Sequence, residues 1–155
     1  MKSTTYDERL KANWTWSHKY FMRKTKEFKI VGWTLALDHA KKRLGQTDYN
    51  KKIVSLSKHF LRGPSCDEKN MRNTILHELA HVLVGSQNGH NPTWKNMALK
   101  IGCDAKVTAC MDLPDAKYVM TCPKKCFEQT YFRRPKIENK LCLKCKSPPI
   151  LKQLR

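Results

Sequence analysis

The sequence predicts an α+β domain over residues 1–113, followed by a small zinc ribbon over residues 114–155. Three observations carry this reading. An apolar, helix-forming run from about residue 66 to 84 contains His77-Glu78-Leu79-Ala80-His81. Ahead of it, β-branched and aromatic residues predict a small antiparallel sheet. Behind it, Cys122/Cys126 and Cys142/Cys145 form two closely spaced pairs, the pattern of thiolate knuckles on hairpins.

Thr5-Tyr6-Asp7-Glu8 reads as a capping box, which predicts a first helix over about 6–22 with Thr5 as its N-cap. Leu10, Trp14, Ser17 and Phe21 share its inner face, so its aromatics are expected in the core. Strands are predicted within Phe28 to Leu37 and over Lys52 to Ser57, with turn residues from Leu44 to Asn50 between them. His39 and His59 have no ligand-like spacing and are expected to be structural or solvated.

Ser65-Cys66-Asp67-Glu68 is a second capping box, opening the central helix after the Gly63-Pro64 break. Cys66 then falls in its first turn without a catalytic partner. Met71, Ile75, Leu79 and Val82 recur at helical spacing beside Leu76 and Leu83, and Gly85 closes the helix. Asn91-Pro92 predicts an N-cap with proline at the first helical position. The helix it opens carries Trp94, Met97, Ala98 and Ile101 on a buried face and ends at Gly102. Further strands are predicted at Lys117–Thr121, Glu128–Arg134 and near Ile150, with Cys103 and Cys110 outside the knuckles.

Residues four apart share one helix face, so His77 and His81 can offer two imidazoles to one metal ion. Glu78 is close enough to act on water held there, which is the zinc-hydrolase arrangement. A third ligand is needed. His90 leads, because Gly89 permits a tight turn and Pro92 fixes the backbone just after it; Asp104 is the rival. Three protein ligands leave one position for water, whose pKa zinc lowers to about 7. Glu78 is the expected general base. Tyr49 and Tyr118 are both open as oxyanion stabilisers, and nothing in the sequence selects one. Cys122, Cys126, Cys142 and Cys145 form a closed site suited to a structural zinc, giving two zinc ions in all.

Lys and Arg number 31 against 13 acids, a net charge of +18, which points to a polyanionic partner and first to nucleic acid. In the ribbon, Lys124, Lys125, Arg133, Arg134 and Lys136 interleave with Tyr131 and Phe132, so cations can track phosphates while aromatics stack on bases. Some of these aromatics are also expected to pack the ribbon's interior. The N-terminus has no apolar run and no stretch reaches membrane-spanning length, so an intracellular, cytoplasmic or nuclear, monomer is expected.

Together, His77-Glu78-Leu79-Ala80-His81, Gly89-His90 followed by Trp94 and Met97, the Lys52–Ser57 strand and the four-cysteine ribbon resemble the SprT-like family of zinc metalloproteases, relatives of Spartan. The resemblance covers about residues 30 to 150 as an order of elements. It implies a zincin-like metalloprotease domain, with His77, His81 and His90 as zinc ligands and Glu78 as catalytic base. It further implies DNA as partner and proteins crosslinked to DNA as substrates, hence DNA-protein crosslink repair. The sequence ends just after the ribbon, so the compact form of the family is expected, without recruitment through ubiquitin or a replication clamp. Two other functions fit the residues: a nucleic-acid-binding protein with a non-proteolytic scaffold, or a zinc peptidase acting on soluble protein.

Overall fold

A computed structural model of the chain describes residues 2–64, 66–107 and 116–154. The chain divides into two units, Met1–Leu113 and Pro114–Arg155. Helix α1 (Lys2–Glu27) extends beyond the expected 6–22 at both ends. No Gly or Pro occurs before Gly32, so nothing interrupts the helix, and Thr5 lies inside it rather than capping it. It ends where Ile30 N–H reaches back to the Thr25 carbonyl (2.8 Å) across Lys29, whose φ is 56°. Ser17 and Phe21 are fully buried, as their spacing implies, and Ser17 Oγ contacts Met71 Sδ at 3.3 Å.

The sheet is mixed, which corrects the antiparallel expectation. Its order is β1 (Thr34–Asp38), β3 (Ile53–Ser57), β2 (Gly45–Asp48), with β1 parallel and β2 antiparallel to β3. Residues 39–44 carry the chain past the end of β3 to the far edge. Ser57 secures that crossing: its N–H donates to the Leu44 carbonyl and its hydroxyl to the Ala40 carbonyl. Gly45 to Asp48 look like turn residues by composition, yet they form the edge strand because β3 on one side and the central helix beneath supply their partners. The turn itself comes next, with Asp48 Oδ1 accepting from the N–H groups of Asn50 and Lys51.

A short helix that the pattern does not announce, α2 (Lys58–Arg62), is capped by Ser57 and buries Phe60 and Leu61. The central helix α3 (Glu68–Val84) starts two residues later than the Ser65 capping box implies. Asp67 is the N-cap, accepting from Asn70 N–H at 2.7 Å, and Ser65 lies outside the described residues. Met71, Ile75, Leu76 and Leu79 are buried against α1, the sheet and α4 (Pro92–Lys100). Asn91 caps α4 as expected, with Pro92 at its start and Trp94 N–H donating to the cap. Cys66 precedes α3, and burial pushes its thiol up to about 12, the opposite of an activated cysteine. Cys103 is buried; Cys110 lies outside the described residues.

In the second unit β4 (Tyr118–Thr121) is central, pairing antiparallel with β5 (Glu128–Tyr131) and β6 (Ile150–Gln153). No described helix is long and apolar enough to cross a membrane.

Candidate metal centres

α3 sets His77 and His81 one turn apart on a single face, and the glycine-led loop after it returns His90 to meet them. Gly89 has φ 48° and ψ −128°, a conformation open to glycine and costly for other residues. His90 Nε2 lies 3.1 Å from both His77 Nε2 and His81 Nε2. Three convergent ring nitrogens cannot all be satisfied by one another's protons, whereas a shared cation satisfies all three lone pairs. Tetrahedral zinc with bonds of about 2.0–2.1 Å needs nitrogens about 3.3 Å apart, so the donor set fits. Burial, then the neighbouring imidazoles, lower His77 and His81 to about 4, which keeps them as neutral donors.

Asp104, the rival third ligand, stays outside this group. Its carboxylate accepts from Asn73 Nδ2 (3.1 Å) and Lys106 N–H (3.0 Å), while Asp104 N–H donates to Asn73 Oδ1 (2.9 Å). The Asp104 charge and the Lys106 backbone both act on the His77 ring, raising its proton affinity against the effect of burial. Asn73, one helical turn before His77, therefore clasps the segment that carries both groups. Outer hydrogen bonds of this kind are typically worth 10–100-fold in metal affinity. Asn73→Ala is expected to weaken zinc binding by about that factor, read by competition with a chromophoric chelator, with Asp104→Asn milder because its amide oxygen can still accept.

Trp94 forms the floor. It is fully buried, its ring lies 4.6 Å from those of His77 and His90 and 5.2 Å from that of His81, and its Nε1 donates to the His77 carbonyl at 3.4 Å. Its buried spacing on α4 was legible in sequence, but not that its face holds all three imidazoles.

Glu78 is 6 % exposed, and burial pushes its carboxyl up to about 7 against a hydrogen bond from Thr47 and the charge of Arg43. Thr47 Oγ1 donates to Glu78 Oε2 at 2.7 Å. Beside it, a Cβ on Gly45 would sit 3.1 Å from both Glu78 Cγ and Oε1 and 3.2 Å from the Ser55 carbonyl. Glycine thus lets β2 approach the helix. Gly45→Val is expected to cost about 1–3 kcal/mol of stability by overpacking, measured by denaturant unfolding. Glu78, the three histidines and Tyr49 line one cavity of about 750 Å³, and the Tyr49 hydroxyl donates to the His81 carbonyl at 3.0 Å. Tyr118 belongs to the second unit. Sequence reasoning missed Gly45 and Thr47 because their short polar run reads as a turn.

The second group is Cys122, Cys126, Cys142 and Cys145, whose sulfurs, like the three imidazole donors, lie within 4.8 Å of one another. Cys122 Sγ and Cys145 Sγ are 3.3 Å apart. Each knuckle closes with a backbone bond across a left-handed lysine: Lys125 N–H to the Cys122 carbonyl and Lys146 N–H to the Cys142 carbonyl. The hydroxyl and N–H of Ser147 lower Cys145 to about 6, and the N–H groups of Cys145 and Lys144 lower Cys142. Those bonds favour thiolates at Cys145 and Cys142, the form that binds metal, whereas the neighbouring thiol of Cys145 pushes Cys126 up to about 12. Each group could hold one metal ion, and four sulfurs match the preference of zinc. His39 and His59 join neither group.

Lys124, Lys125, Arg133, Arg134 and Lys136 are exposed, whereas Phe127, Tyr131 and Phe132 are all half-buried. The aromatics therefore contribute to the ribbon's packing as well as to its surface.

The SprT-like family model matches residues 11–113, which hold the three imidazoles and Glu78. No curated protein and no solved structure gives a significant match. With well over half its length matched, and the matched part containing the histidine centre, the chain belongs to the SprT-like family.

Proposed function

We propose that the chain is a zinc-dependent endopeptidase of zincin-like fold that acts on proteins bound or crosslinked to DNA. The observation that carries the chemistry is the convergence of His77, His81 and His90 at 3.1 Å beside the buried Glu78 carboxylate. His77, His81 and His90 would hold zinc, with Trp94 packed against their rings. When bound, zinc supplies Lewis acidity toward a peptide carbonyl and activates water. Glu78, held near neutrality by burial, accepts the water proton and passes it to the leaving amine. Thr47 fixes which carboxylate oxygen is free to do so. Among the described residues no strand pairs with the outer edge of β2, and β2 lines the cavity, so an extended substrate can add to it as a strand.

Net charge and the exposed ribbon cations support the DNA part of the reading. A purified, zinc-loaded chain is incubated with a basic, unstructured test protein, with and without single-stranded DNA. Cleavage or self-cleavage should rise with DNA, and the rise should vanish as salt increases. Cleavage indifferent to DNA and salt would leave a peptidase of soluble proteins. Tight DNA binding with no cleavage would leave a binding protein on a non-proteolytic scaffold.

A further inference from the structure

From Arg9 to Lys26 the first helix carries six cations, Arg9, Lys11, Lys19, Arg23, Lys24 and Lys26, and no acid. That is a higher charge density than even this basic chain has on average. At 100° and 1.5 Å per residue, Lys11, Lys19, Arg23 and Lys26 lie within about 120° of arc, along roughly 23 Å. All four are exposed, on the side opposite the buried Ser17, Phe21 and Thr25.

A second observation lies beside this stripe. Trp16, half-buried, stacks on Tyr20 with centroids 5.1 Å apart and 9° between planes. Arg23 of α1 and Arg72 of α3 place their guanidinium carbons 5.1 and 5.7 Å from the Tyr20 ring. Two helices thus bring guanidinium groups to one aromatic platform. Like charges gathered there repel, and an anion relieves that repulsion. Tyr20 itself is buried, so the open surface here is the two guanidinium groups and the half-buried Trp16. Guanidinium pairs suit phosphate, and cations beside a half-buried tryptophan suit a nucleic-acid strand. Lys24 is excluded from this set because Glu27 pairs with it at 2.8 Å.

We propose that the exposed face of α1, with Arg72 beside it, binds the phosphate backbone of nucleic acid, as a second contact surface additional to the ribbon. The proposal rests on the nucleic-acid part of the proposed function and places a contact on the unit that bears the histidine centre. Compensation of the helix dipole accounts for cations in the last turn only, not for Lys11 or Lys19. A lipid surface fits poorly. The apolar side of α1 is packed into the core, and among its described side chains the open face offers one large apolar group, Met22, at 53 % exposure.

The test compares three full-length, zinc-loaded proteins: the parent, Lys19→Gln/Arg23→Gln/Lys26→Gln, and Arg133→Gln/Arg134→Gln. Binding of a labelled single-stranded oligonucleotide is followed by anisotropy over a salt series, with circular dichroism and DNA-independent cleavage as controls. The α1 variant should bind about tenfold more weakly at low salt, with a salt slope shallower by about 2, at about 0.7 per lost phosphate contact. Its fold and DNA-independent cleavage should be unchanged. A parental slope retained in the α1 variant but reduced in the ribbon variant overturns the proposal and leaves the nucleic-acid reading standing. A parent that ignores the oligonucleotide, or that binds phosphatidylserine vesicles instead, overturns both.

Discussion

Glu78→Gln is expected to lower cleavage of a basic test protein by about 10²–10⁴-fold while zinc content stays at the parental level. The substitution keeps the shape of the side chain and an oxygen for the Thr47 hydroxyl, which in the parent donates at 2.7 Å. It leaves His77, His81 and His90 untouched. What it removes is the ability to take a proton from water and return it to the leaving amine. Burial gives the carboxyl its matched proton affinity, near neutrality rather than in the usual carboxylate range. Single-turnover cleavage with metal analysis on the same samples checks this. A variant as fast as the parent would sink the assignment of Glu78 as base; a variant that loses zinc would show instead that Glu78 supports the metal site.

Cys142→Ala should unfold the second unit while the first stays folded. Among its described residues only Met120, Cys122 and Cys142 are buried, so this unit has almost no apolar core of its own. A segment of that size without a core does not fold unaided. Structural zinc contributes an apparent ~10–16 kcal/mol in comparable thiolate modules, enough to account for the fold of the three-stranded sheet. The variant should bind one zinc fewer per chain. The amide signals of residues 116–154 should collapse to unfolded positions, and the signals of α3 should persist. A strong chelator should reproduce the effect in the parent. Dispersed ribbon signals in a metal-free protein would contradict the structural role.

Local chemistry in the sequence determined much of this protein. The helical spacing of Met71, Ile75 and Leu79 placed His77, Glu78 and His81 on one helix, because a 3.6-residue period is a property of the chain itself. Asn91-Pro92 announced the start of α4, and the paired cysteines announced the knuckles, because caps and ligand pairs act within a few residues. Even His90 was legible, from the glycine before it and the proline after it.

Only the tertiary structure decided what depends on neighbours distant in sequence. Gly45 to Asp48 have weak strand propensity and become a strand through pairing with β3 and packing on α3; that is how Thr47 comes to hold Glu78 across 31 residues. The parallel pairing of β1 with β3 results from the path of the 39–44 crossing, which composition does not encode. Asp104 carries the same carboxylate whether it binds metal or not; the Asn73 clasp holds it, and it stays outside the group of three imidazoles. Trp94 was plainly a core residue, and only the approach of α3, the His90 loop and α4 makes its face the floor of the centre. The candidate metal ligands and Glu78 are set by local signals, the helical spacing of α3 and the glycine and proline around His90, while the groups that surround them are brought in by long-range packing.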